Sequence, residues 1–88
     1  TNQTPDLLLA SREIIVSTLR ELSDIEKSSD KNKILKILQE CVEGFNRLNQ
    51  KHGFIDTAKR EDICFEIDRI SKAMGIQESN IADKWREW

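Results

Sequence analysis

Carboxylate side chains are plentiful in this 88-residue sequence and could, in principle, carry its chemistry. Pairs of carboxylates can act as general acids and bases, or bind a metal inside a helical bundle. The ferritin-like pattern requires Glu-x-x-His on inward faces, however, and the sequence has one histidine. Of the acids concerned, only Glu66 comes near an inward edge, so we interpret the group as solvated surface. The group comprises Glu40, Glu43, Glu61, Asp62, Glu66 and Asp68.

Cys41, His52 and Cys64 are the other candidates for metal or nucleophilic chemistry. They supply three zinc ligands at most, without a Cys-x-x-Cys pair. Two cysteines are too few for a disulfide scaffold, and we interpret both as buried small apolar residues. A bridge between helices in an exported protein, or a reactive thiol, are the alternatives. We predict that the protein is not an enzyme and uses no cofactor or metal.

Composition limits the classes of partner. The formal net charge is −2, whereas dedicated nucleic-acid-binding domains are normally basic. No apolar run approaches the roughly 20 residues that span a bilayer. We therefore expect no nucleic-acid or membrane partner, and a cytoplasmic protein. The length suits one domain over residues 1–88.

Apolar residues recur at helical spacing along most of the chain, which predicts an all-α fold. We expect a small three-helix bundle with a short C-terminal helical tail. Thr4, Ser29 or Asp30, and Thr57 are the predicted N-caps, and Gly53 and Gly75 are the predicted helix stops. The three predicted helices run from about residue 5 to 25, from about 31 to 52 and from about 58 to 74. The predicted tail helix runs from about 80 to 87.

The first two predicted helices differ in the width of their apolar faces. In the second, one stripe should be buried, and Gly44 should mark a close helix crossing. In the first, the apolar arc spans roughly 200°, broader than a surface helix needs. Leu9 and Val16 lie on its outer flank, which predicts a homodimer or partner contact there. The central stripes are Leu8, Ile15, Leu19 and Leu22 in the first helix, and Ile34, Leu38, Cys41, Phe45 and Leu48 in the second.

Three aromatic residues have no inward position in this arrangement. Phe65 points about 160° away from the apolar stripe of the third helix. Trp85 and Trp88 continue an i, i+4, i+7 pattern that begins at Ile81. The tail either reverses at Gly75 and covers Phe65, or leaves the three aromatic residues exposed as a binding hot spot.

Two segments resemble those of a group of small, uncharacterised bacterial proteins. Residues 54–64, F-I-D-T-A-K-R-E-D-I-C, match their F-I-x-T-x-x-R-E-D-I-C helix start, and residues 85–88, W-R-E-W, match their W-R-x-W tail. The resemblance implies a small bacterial protein without enzymatic activity and supplies no role for any position. Small acidic helical proteins of this kind include immunity proteins that neutralise a toxin, an analogy of size and class alone.

The function these observations favour is protein–protein recognition without catalysis, either regulatory or immunity-like. The predicted partner contacts are Leu9, Val16, Phe65, Trp85 and Trp88. One alternative is a small enzyme or metal-binding helical protein that uses the acids of the second and third helices. Another is a helical subunit of a larger assembly.

Overall fold

A computed structural model describes residues 6–25 and 30–88 of the chain. Three α-helices follow one another, α1 (Leu7–Ser23), α2 (Lys31–His52) and α3 (Thr57–Ala73). A single 3₁₀ turn, η1 (Ile81–Lys84), lies in the C-terminal tail. No strand occurs among these residues, so the all-α prediction is confirmed. Thr4 and Ser29, two of the predicted N-caps, lie outside the described residues.

The central helix, α2, forms as its pattern predicts. The Asp30 carboxylate caps it by accepting a hydrogen bond from the Asn32 amide at 3.0 Å. Gly53 ends it in the left-handed conformation, with φ of 58°, which an L side chain adopts only at a cost. Its buried positions follow one helical face, and Leu48, predicted to join them, is half-buried. The buried residues are Ile34, Leu38, Cys41, Val42, Phe45 and Asn46.

Helix α1 lies on α2 with a face that the apolar pattern predicted only in part, since Leu22 and Ile15 of the predicted stripe pack on the core. Thr18 and Leu22 are its buried residues, while Leu8 and Leu19 of the predicted central stripe are 75% and 47% exposed. Thr18 tolerates burial because its hydroxyl donates a hydrogen bond to the Ile14 carbonyl oxygen at 2.9 Å. Leu8 and Leu19 stay exposed because α3 does not close against α1 over its length.

Gly44 of α2 lies under α1, as predicted, but the approach is not unusually close. A Cβ atom built on Gly44 would lie 3.5 Å from the nearest carbon of the Ile14 side chain. That distance is ordinary van der Waals contact, so the helix crossing does not itself require glycine.

Helix α3 is capped at both ends by local hydrogen bonds. The Asp56 carboxylate, rather than the predicted Thr57, caps it by accepting from the Lys59 amide at 2.8 Å. At the other end the Ile76 amide donates to the Ser71 carbonyl oxygen, and Gly75 adopts a φ of 88°. This is a Schellman motif, so the prediction that Gly75 ends the helix is confirmed. The motif turns the chain back toward α2.

The predicted tail helix over residues 80–87 is wrong in extent, because helical structure is limited to η1. The tail nevertheless docks on the core. Ile76, Ile81 and Ala82 are buried, and Trp85 and Trp88 are half-buried against the same core. Trp88 meets Phe45 of α2 edge to face, with 6.4 Å between the ring centroids. The short tail is therefore ordered by packing rather than by helix propensity.

Candidate partner-binding surface

The tail does not cover Phe65, which the sequence offered as its docking site. Phe65 remains 68% exposed. It lies on the exposed face of α3, about 60° round the helix from Asp68, and the tail binds Asp68 without covering the Phe65 ring. The indole rings instead pack against the core that includes Phe45. The expectation that the tail docks internally agrees with this arrangement, and the expectation that it covers Phe65 is wrong.

Polar side chains from two helices fix the backbone of the tail. The buried Asn46 amide donates to the Trp85 carbonyl oxygen at 3.0 Å and accepts from the Glu87 amide at 2.9 Å. The Asp68 carboxylate accepts from the amides of Asn80 and Ile81 at 3.0 and 3.1 Å. A non-helical segment can therefore lie against the core because its backbone groups have partners. Neither residue was predicted to have this role, since such long-range contacts leave no periodic signal in a sequence.

Of the five large apolar side chains that are exposed in the described part of the chain, four lie on α1. Leu9 and Val16, the predicted flank, are 49% and 38% exposed, and Leu8 and Leu19 extend this surface. We call these four residues the α1 sector. At 100° per residue they occupy one side of the helix, away from the face that lies on α2. The roughly 200° apolar arc was the sequence signal for this surface. It did not reveal that Leu8 and Leu19 belong to the exposed part.

Two arginines and one glutamate border the α1 sector. Arg12 and Arg20 project between and beside the four apolar side chains. In the described part of the chain, neither has a carboxylate within 4.0 Å. Of the acids of α1, Glu21 lines the seam between α1 and α2, whereas Glu13 lines both that seam and a depression beside Arg12, Val16 and Arg20. The sector is thus apolar with two unpaired guanidinium groups.

A groove between α1 and α3 continues the sector toward the core. It consists of three depressions along the seam between the two helices. Phe45 of α2 reaches the middle one from below. The depression near the helix C-termini has a volume of about 550 Å³. We call this feature the α1–α3 groove. Its apolar lining includes Leu7, Leu8, Ile15, Leu19 and Leu22 from α1, Ile25 just after α1, and Ile63, Ile70, Ala73 and Met74 from α3 and its C-cap.

The groups considered for catalysis are not arranged as a reactive site. Burial raises the pKa of the Cys41 thiol, and partial burial raises that of Cys64. Both thiols therefore remain protonated and weakly nucleophilic at neutral pH. Glu66 forms an ion pair with Arg69 at 2.9 Å. Across residues 6–25 and 30–88, no three His, Cys, Asp or Glu side chains are close enough to hold a metal ion.

The predicted partner contacts therefore divide into three places. Leu9 and Val16 lie together in the α1 sector, Phe65 stands apart on α3, and Trp85 and Trp88 are half-buried in the docked tail. None of the helices described is long and apolar enough to cross a membrane. Comparison with protein-family models, curated proteins and solved structures returns no match. Function is therefore inferred from the surface of the chain itself.

Proposed function

We propose that the protein is a non-enzymatic recognition module that binds another protein through the α1 sector. The observation that carries the proposal is the exposure of four large apolar side chains on one side of one helix. Contiguous exposed apolar patches usually mark contact sites, because leaving them in water has a cost that association removes. A cytoplasmic, bacterial protein with a regulatory or immunity-like role fits this proposal.

The position of the sector relative to the core supports the same proposal. Residues that stabilise the fold are buried on the α2 side of α1, so Leu9 and Val16 have no evident structural purpose. Phe65 offers a second contact on α3. The docked arrangement of Trp85 and Trp88 does not favour a hot spot in the tail. A homodimer through Leu9 and Val16 stays a prediction, since both side chains are accessible to a second copy.

Co-purification from the native host tests the proposal. We expect the double variant Leu9→Ser, Val16→Ser to lose a partner that the unaltered chain retains. The matched control is Lys33→Ser, Lys36→Ser on the exposed back of α2, which should keep the partner. Both double variants should melt within a few degrees of the parent, because exposed substitutions change stability by about 0.5 kcal/mol or less each.

Two outcomes would overturn the proposal. One is retention of the partner by the α1 variant together with its loss by the α2 control. The other is purified protein that carries a stoichiometric metal ion by elemental analysis, which would favour the metal-binding alternative. Light scattering on the same samples determines whether the partner is a second copy of this chain.

A further inference from the structure

We draw no further inference here: the strongest candidate, the α1–α3 groove together with the α1 sector beside it, is bordered by charges of both signs, and nothing in the structure shows what covers it.

Discussion

The two seams that α3 forms with the rest of the molecule differ in what fills them. On one side the C-terminal tail lies against the core, with Ile81 fully buried and Asn46 and Asp68 bound to its backbone. On the other side the α1–α3 groove is lined by apolar side chains and remains open. The closed seam contains polar side chains from two helices that satisfy an irregular backbone. Polar side chains also line the open seam, among them Ser11, Asp62 and Arg69, but among the residues described they bind no irregular backbone segment there.

Removal of residues 81–88 should have the largest effect, because it would open the closed seam. We expect the free energy of unfolding to fall by about 3–5 kcal/mol, as for the loss of large buried side chains. That is a large part of the roughly 5–15 kcal/mol of a small domain. Urea denaturation measures it. The matched pair is Trp88→Ala against Phe65→Ala: the first should destabilise clearly and the second should change little. Equal destabilisation by the two variants would contradict the conclusion that Trp88, and not Phe65, helps to hold the tail on the core.

Asn46→Ala should have the next largest effect. It leaves the Glu87 amide and the Trp85 carbonyl oxygen without their partner in a largely buried place, and unsatisfied groups of this kind cost about 1–3 kcal/mol. The exposed Asn32, on the same helix, provides the control, since Asn32→Ala removes no such contact. Thermal or urea unfolding compares the two variants. If they unfold alike, the hydrogen bonds of Asn46 do not hold the tail.

Gly44→Ala should raise stability by about 0.5–1 kcal/mol. The added methyl group meets Ile14 at ordinary contact distance, and alanine favours the helix by about that amount. Gly53→Ala is the contrasting change and should destabilise, because Gly53 has a φ of 58°. A destabilised Gly44→Ala variant would show that α1 packs more tightly on α2 at this crossing than a separation of 3.5 Å indicates.

The smallest expected effect concerns acid stability. Glu78 in the tail contacts Lys84 at 2.6 Å and Lys31 of α2 at 3.1 Å. Hydrogen bonds from these two lysines lower the pKa of the Glu78 carboxyl below its ordinary value of 4.5. As pH falls, the Glu78 carboxylate of the unfolded chain is therefore protonated before that of the folded chain. The stability that the ionised Glu78 carboxylate contributes to the fold is complete above about pH 4.5. It is lost as pH falls through the lower pKa of the folded state.

Glu78→Gln should therefore lose a little stability at neutral pH and show a shallower decline between pH 5 and pH 3. Denaturation midpoints across this range measure the difference. The comparison with Glu61→Gln, an exposed acid on α3 with no ion pair among the described residues, isolates the contribution of the two lysines. Parallel curves for the parent and the Glu78 variant would show that the pair does not link the tail to α2.

The helices themselves could be read from the sequence because the information is local. Periodicity placed α2 and its buried stripe, and the positions of Gly53 and Gly75 located two helix ends. Rotation of α1 about its axis could not be read, since the arc that includes Leu8 and Leu19 is apolar across roughly 200°. Burial of Thr18 depends on a backbone hydrogen bond and on contact with α2, neither of which hydropathy records.

The tail shows a second limit. The spacing of Ile81, Trp85 and Trp88 fitted a helix, but Asn46 and Asp68 bind the tail backbone in a form that is helical only at η1. Such contacts join residues 12 to 41 positions apart, beyond the reach of a periodic pattern. For the candidate site, Leu9 and Val16 were found from the excess of apolar surface, whereas the groove appears only once α1 and α3 are placed side by side.

Site-specific photo-crosslinking in the native host would test most directly that the α1 sector is used for recognition and the closed seam is structural. A photoreactive side chain would replace Val16, Phe65 or Trp88 in three separate full-length chains. We expect an adduct with another protein from position 16, and only adducts within the chain from position 88. Adducts with another protein from position 88, together with none from position 16, would contradict the account.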